Sequence, residues 1–149
     1  MQSKLVDDGA EKTWVLVFAT GDEVMSRIME FAKQNRLAGS HFTAIGAFQD
    51  VTLAYFDWET KEYRKIPLHQ QVEVLSLIGD IALKENGEPQ VHAHVVVGLP
   101  DGTTRGGHLM EARVRPTLEV VLMESPGYLQ RRQDTASGLA LIDLSAALR

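Results

Sequence analysis

Three histidines, His92, His94 and His108, are the residues of this chain whose type and spacing could do chemistry. His92 and His94 are two positions apart, so on a β-strand both side chains point to the same face. Neutral imidazole is the commonest metal ligand among side chains. Three imidazole nitrogens with an open fourth position are the ligand set of many catalytic zinc sites. The three residues therefore predict a site for a divalent metal ion, with zinc favoured.

The turn between these histidines determines which residues face each other. Residues 100–102 (Pro-Asp-Gly) have the composition of a three-residue hairpin loop whose glycine takes the left-handed conformation. In that register His94 lies directly opposite His108, and residues opposite each other have Cβ atoms about 4.5–5.5 Å apart. A bulge at Gly106 and Gly107 is the alternative, and it would turn His108 to the other face of the hairpin.

Other interpretations of the histidines stay open at this point. Histidines on a strand are often half-buried residues that only form hydrogen bonds, and the pair at positions 92 and 94 alone favours that interpretation. The third histidine, in a predictable opposing register, favours a metal instead. Water, a small molecule, His41 or Glu73 could supply a fourth ligand. A cupin barrel has a similar histidine pattern, but it is disfavoured because residues 95–99 (VVVGL) contain no glutamate.

The composition is that of one globular domain. The chain has 149 residues, of which 44% are hydrophobic and 23% are charged. The absence of cysteine excludes disulfides, thiolate metal sites and cysteine nucleophiles. The formal net charge of -5 argues against a uniform basic face for nucleic acid. No apolar run approaches the ~18 residues of a membrane helix, and the N-terminus is too polar for a signal peptide. We therefore expect a cytoplasmic protein without a membrane partner.

The patterning divides the chain into three parts. Residues 1–12 are polar and predict a flexible leader, residues 13–145 predict a single compact domain, and residues 146–149 predict a tail. Within the domain, Thr20 and Glu23 have the spacing of a capping box, which predicts the start of a helix. Apolar residues at helical spacing then continue this helix to a C-terminal glycine near position 39.

Strand patterns dominate outside this helix. Apolar runs rich in β-branched and aromatic residues predict strands, with Gly79 as a bulge or bend. Residues 126–138 predict an exposed loop in which Arg131 and Arg132 are solvated, and residues 139–144 predict a closing strand or a short helix. One helix with many strands predicts an α+β fold with a mostly antiparallel sheet. The predicted strands are 14–19, 42–48, 51–58, 62–66, 72–83, 91–99, 103–114 and 117–125.

Five blocks of sequence, in a fixed order, resemble the plant and prokaryote conserved (PPC) domain family in its prokaryotic form. The resemblance covers residues 12–145, which is nearly the whole chain. The blocks are GSHFTAIGA (39–47), EVLSLIGD (73–80), HAHVVVG (92–98), GGHLMEA (106–112) and PTLEVVLME (116–124).

The resemblance implies a compact domain of mixed α/β type, a mostly antiparallel sheet with packed helices, that assembles as a homotrimer. The family's His-x-His and Gly-Gly-His segments match His92, His94 and His108, which supports a shared metal site. Prokaryotic relatives carry a DNA-binding label because plant members have AT-hook segments. An AT-hook inserts an Arg-Gly-Arg core into the minor groove, and this chain contains no such string.

Two functions follow from these patterns. The first is a non-catalytic, metal-binding protein that, by the resemblance, is a homotrimer with a regulatory role and DNA as a partner. The alternative is a metal-dependent enzyme of hydrolase type, in which the ion lowers the pKa of bound water toward ~7, acting on an unknown small-molecule substrate. The enzyme is disfavoured because the predicted register puts no carboxylate on the histidine face to serve as a general base.

Overall fold

Antiparallel strands and one helix form the structure, a computed structural model that describes residues 1–145. Along the chain the elements are β1 (Gln2–Asp8), β2 (Lys12–Ala19), α1 (Val24–Asn35), β3 (Gly39–Asp57), β4 (Glu62–Leu68), β5 (Val72–Leu83), β6 (Pro89–Gly98), β7 (Thr104–Glu124), β8 (Arg131–Gln133) and β9 (Ala140–Ile142). Seven strands form one sheet in the order β1-β2-β7-β6-β5-β3-β4, and β8 pairs with β9.

The two longest strands, β3 and β7, close part of the sheet into a ring. They pair with each other along most of their lengths, β5 pairs with β3, and β6 joins β5 to β7. Successive side chains of a strand point to opposite faces, so each strand of the ring has an inner row and an outer row. The inner rows form the core, where Phe42, Leu77 and Leu122 are fully buried.

Helix α1 completes the core by packing against β6 and β7. Its buried residues recur at helical spacing and form one apolar stripe, as expected for a helix with one face on a sheet. They are Val24, Ile28, Phe31 and Ala32.

The ends of α1 differ from those predicted. The N-cap is Glu23, whose carboxylate accepts hydrogen bonds of 2.6 and 3.2 Å from backbone N–H groups of the first turn. The predicted N-cap, Thr20, lies outside the helix, so the predicted start is three residues early. Arg36, in the left-handed conformation with φ 56, ends the helix, in place of the glycine expected at position 39.

The predicted α+β fold with packed helices is wrong, because the described part of the chain contains one α-helix of 12 residues among nine strands. Runs predicted as separate strands are continuous in β3 (19 residues) and β7 (21 residues). Register shifts between these two strands absorb the polar breaks, as β-bulges do. Residues 139–144 contain β9 and no helix. The prediction of a mostly antiparallel sheet is confirmed.

The segments near the chain ends also differ from expectation. Residues 2–8, expected within a flexible leader, form β1 and pair with β2. The segment 126–138, expected as an exposed loop, contains β8, and its Arg131 is only 6% exposed. The predicted tail at residues 146–149 lies outside the described residues. Between residues 1 and 145, no helix is long and apolar enough to cross a membrane.

Gly79 serves a different purpose from the predicted bulge. It pairs regularly with residues on both neighbouring strands, and the shift in the pairing of β5 with β6 lies between Val74 and Ser76. A Cβ at Gly79 would lie 2.3 Å from the Phe42 ring and 2.6 Å from the carbonyl oxygen of His92. Glycine therefore leaves room for the Phe42 ring against β5, the strand next to the one that carries His92 and His94.

Candidate metal centre

Strands β6 and β7 form the hairpin that carries the three histidines, and its predicted register is confirmed. His94 pairs with His108, and Gly102 in the loop has a left-handed φ of 81. The pairing continues without a shift through Gly106 and Gly107, so the alternative bulge does not form. The hairpin therefore presents all three imidazoles on the outer face.

The three imidazoles converge on one patch of that face. Each offers a ring nitrogen that lies within 4.8 Å of those of the other two, and the ring centroids are 5.1 to 5.4 Å apart. His92 and His108 are half-buried, and His94 is exposed. At the usual Zn–N distance of about 2.0–2.1 Å, tetrahedral ligand nitrogens lie about 3.3 Å apart. Small side-chain rotations would bring the rings to that spacing.

Partial loss of water around the ring favours the neutral form of His108 and, although its side chain is exposed, of His94 as well. Burial, followed by the charges of His92 and His94, lowers the pKa of His108 from 6.5 to about 4. Burial, followed by the charge of His92, also lowers the pKa of His94. A metal ligand must be an unprotonated imidazole, so these nitrogens have lone pairs available at neutral pH.

Asp80 on β5 supports the site from the neighbouring strand. Its Oδ2 lies 3.6 Å from Nδ1 of His92, and its Oδ1 accepts a short hydrogen bond from Nη2 of the buried Arg131. Burial raises the pKa of Asp80, but its contacts with His92 and Arg131 outweigh this and lower the pKa below its ordinary value. Carboxylates behind metal-bound histidines fix the ring orientation and tautomer, and Asp80 is in position to do so for His92.

Sequence reasoning missed both Asp80 and Arg131. Asp80 could have been found, because residues 85–87 (Glu-Asn-Gly) have the composition of a three-residue hairpin loop, and counting back from it along β5 and β6 leads to the Asp80–His92 pair. Arg131 carried no comparable signal. It reaches Asp80 across 51 positions of sequence from a segment predicted as an exposed loop.

The buried nitrogen of His108 tests whether these residues fit a metal. Nδ1 of His108 is buried and has no hydrogen-bond partner in the described part of the chain. The ring of Tyr63 packs against the same imidazole, with centroids 4.8 Å apart. Buried polar atoms are normally hydrogen-bonded, so an imidazole with a free nitrogen beside two others fits a ligand set better than a structural role.

The two side chains considered as a fourth ligand do not join the group. Among residues 1–145, no other histidine, aspartate or glutamate belongs to this cluster. His41 is one strand further away, where it pairs with Asp80, and Glu73 lies seven positions before Asp80 on β5. A fourth position at this site would therefore be open to water or a small molecule.

A family model matches most of the chain. The model, described as the Plants and Prokaryotes Conserved (PCC) domain, matches residues 7–126. A curated relative, the bifunctional protein GlmU of Synechococcus sp. (strain JA-3-3Ab), is 31% identical over 133 residues. That match covers 87% of this chain and 20% of the relative, so the chain spans about a fifth of the length of the curated relative.

Three solved structures are similar over nearly the whole chain. A plant- and prokaryote-conserved protein of Pyrococcus horikoshii is 34% identical with a TM-score of 0.84, and the match covers 98% of this chain and 97% of that one. The metal-containing protein AF0104 of Archaeoglobus fulgidus is 32% identical with a TM-score of 0.81, and 95% and 96% are covered. A Ralstonia eutropha JMP134 protein, named as a candidate DNA-binding protein, is 26% identical with a TM-score of 0.81, and 88% and 90% are covered. The chain therefore belongs to the Plants and Prokaryotes Conserved domain family.

Proposed function

We propose that the chain binds one Zn²⁺ ion through His92, His94 and His108. The observation that carries the proposal is the convergence of three imidazoles whose ring nitrogens lie within 4.8 Å of one another. The lowered pKa values of His94 and His108 and the unpartnered Nδ1 of His108 support it. The likeness to the metal-containing Archaeoglobus protein supports it as well. The bound ion would supply a positive charge with an open coordination position.

The metal proposal is tested by titrating the purified, metal-stripped chain with Zn²⁺ in competition with a chromogenic chelator. We expect one site per chain in the wild type and loss of that site in His94→Ala, which removes an exposed side chain and leaves the core intact. His69→Ala is the matched control, because His69 is exposed and lies outside the group. Full zinc binding by a folded His94→Ala protein would refute the proposed ligand set.

Self-association into a homotrimer is the second part of the proposed function. Large apolar side chains are exposed on β5 and β6, and among them Ile78, which pairs with His94, is 57% exposed. Exposed apolar residues of this kind mark interfaces between proteins. Light scattering should give about 50 kDa, three times the 16.5 kDa of one chain; a mass near 16.5 kDa at micromolar concentration would contradict the trimer. The exposed large apolar residues on β5 and β6 are Leu75, Ile78 and Val96.

DNA binding is a second candidate function, and the name of the Ralstonia relative is what favours it. The net charge of -5 limits any electrostatic contribution, so binding to duplex DNA should be weak and should fall steeply between ~50 and ~200 mM salt. Titration of a fluorescent duplex at both salt concentrations decides the matter. Absence of binding at the lower concentration would exclude this function.

A metal-dependent hydrolase is the less supported alternative for the same site. Such an enzyme requires a general base within reach of metal-bound water. Asp80 is the carboxylate in contact with the histidines, and it is engaged by Arg131. We therefore assign the site a role in binding, and turnover of ester substrates at a rate abolished by His94→Ala would overturn that assignment.

A further inference from the structure

A row of aromatic side chains on the β3–β4 hairpin ends at one of the proposed zinc ligands. The ring centroids of Trp58 and Phe56 lie 6.5 Å apart, and those of Phe56 and Tyr63 lie 5.3 Å apart. The row ends where the Tyr63 ring meets the His108 imidazole, with centroids 4.8 Å apart. Phe56, Tyr63 and His108 are all half-buried. The three histidines alone do not account for the aromatic side chains that pack against one of them.

Strand pairing explains how Tyr63 reaches His108 although the two residues are not on neighbouring strands. Tyr63 on β4 pairs with Phe56 on β3. Ala54, two residues earlier on β3, pairs with His108 on β7. Residues two apart on a strand point to the same face, so Tyr63 and His108 share a face on either side of β3. Strands β4 and β7 are about 10 Å apart, and the small side chain of Ala54 leaves room for the Tyr63 ring between them.

The orientation of a histidine that binds a metal has to be fixed by a contact. The χ2 angle of histidine is broad, so such a ring is normally held by a hydrogen bond from its other nitrogen. His92 has Asp80 in position for this purpose. The ring of His108 has no hydrogen-bond partner within residues 1–145, where its Nδ1 is buried and unpaired. Its orientation therefore depends on packing.

The contact with Tyr63 supplies this packing. The planes of the two rings are tilted by 37°, and the centroid distance of 4.8 Å is in the range at which aromatic rings attract each other. Rotation of the His108 ring about χ2 would give up this contact. Tyr63 is itself held by its cross-strand pair Phe56, and such aromatic pairs stabilise antiparallel strands.

We infer that Tyr63 is a positioning residue for the proposed zinc site. Its ring holds the His108 imidazole in the orientation that brings a ring nitrogen close to those of His92 and His94. The role belongs to the aromatic ring of Tyr63 and not to its hydroxyl group, because the contact is between the two rings. The inference rests on the proposed zinc function, and it adds a residue that is not itself a ligand.

The test compares Tyr63→Leu, which removes the aromatic ring and keeps an apolar side chain, with Tyr63→Phe, which keeps the ring. Chelator competition on the metal-stripped proteins gives the zinc dissociation constant. We expect Tyr63→Leu to weaken zinc binding about three- to tenfold, the worth of one aromatic pair, and Tyr63→Phe to stay within about twofold of the wild type. The visible absorption spectrum of the Co²⁺-loaded protein, which reports coordination geometry, should change in Tyr63→Leu alone. A merely structural role would lower the unfolding midpoint and move neither the affinity nor the spectrum.

Tyr55→Leu is the matched control. Tyr55 is 59% exposed on the same hairpin, and it precedes Phe56, so its side chain points to the other face. This variant should keep the zinc affinity and the Co²⁺ spectrum of the wild type.

Unchanged zinc affinity in folded Tyr63→Leu, or an equal loss in Tyr63→Phe, would overturn the role of Tyr63 and leave the zinc function standing. A wild-type protein that binds no zinc would overturn both together. If Tyr63→Leu does not fold, nuclear Overhauser measurements on the zinc-loaded wild type decide the question. Cross-peaks between the ring protons of Tyr63 and His108 are expected, and their absence would overturn the inference.

Discussion

Replacing Asp80 by asparagine removes a charge that two functional groups share while preserving the shape of the side chain. The carboxylate lies 3.6 Å from Nδ1 of His92 and accepts a hydrogen bond from Arg131. We expect Asp80→Asn to weaken zinc binding, because a neutral amide oxygen is a weaker acceptor than the carboxylate that orients the imidazole and raises its basicity. We also expect it to destabilise the metal-free fold, because Arg131 keeps its charge without a counter-charge.

The geometry limits the size of both effects. Loss of an acceptor behind a metal-bound histidine typically costs 10- to 100-fold in affinity. The 3.6 Å separation is longer than a strong hydrogen bond, so we expect about tenfold, or about 1.4 kcal/mol. Breaking a fully buried ion pair costs about 3–5 kcal/mol. The Asp80 side chain is 28% exposed, and Arg131 keeps its bond to Ala140, so a loss of about 1–3 kcal/mol is expected here.

Two measurements separate these effects. Competition with a chelator of known affinity gives the zinc dissociation constant of the folded variant, and urea unfolding of the metal-free protein gives its stability. Glu73→Gln, an exposed change on the same strand, is the control and should alter neither quantity. If zinc affinity in folded Asp80→Asn stays within twofold of the wild type, Asp80 does not support His92 and that reasoning fails.

Three further predictions concern the fold, its pH dependence and its assembly. Gly79→Ala should destabilise the protein by about 1–3 kcal/mol or more in urea unfolding, because the new Cβ would lie 2.3 Å from the Phe42 ring; an unchanged midpoint would contradict the close packing. The pKa of His108 is about 4 in the folded chain against 6.5 in its ordinary state, so the unfolded chain binds more protons between these values. The metal-free protein should therefore lose up to about 2 kcal/mol of its free energy of unfolding from pH 7 to pH 5. His108→Gln should reduce this pH dependence, and an equal pH dependence of stability in both proteins would contradict the role of His108. Ile78→Glu should shift the mass measured by light scattering toward one chain, whereas an unaltered trimer would exclude Ile78 from the interface.

The hairpin register was predictable because it depends on local chemistry. A Pro-Asp-Gly loop fixes which residues face each other, and two histidines at a spacing of two share a face on any strand. These rules brought His94 opposite His108 without knowledge of the remaining fold. The β5–β6 turn would have yielded Asp80 by the same counting.

Other features depend on contacts that are remote in sequence. Arg131 lies in a segment rich in turn-forming residues, and only the tertiary structure brings it to Asp80. The polar breaks that suggested separate strands are absorbed by bulges in β3 and β7, which the long-range pairing of these strands stabilises. The spacing of Thr20 and Glu23 predicted Thr20 as the N-cap, but Glu23 itself caps the helix. The carboxylate of Glu23 also accepts a hydrogen bond from the backbone N–H of Ala112 at 3.3 Å, a contact that is remote in sequence.

Elemental analysis of the untagged protein, purified without added metal and then reconstituted with Zn²⁺, tests the metal site most directly. Inductively coupled plasma mass spectrometry on the size-fractionated protein should give about one zinc ion per chain in the wild type and almost none in folded His94→Ala. A wild-type protein that holds no metal even after reconstitution would contradict the site, and His92, His94 and His108 would then be ordinary residues on the outer face of the sheet.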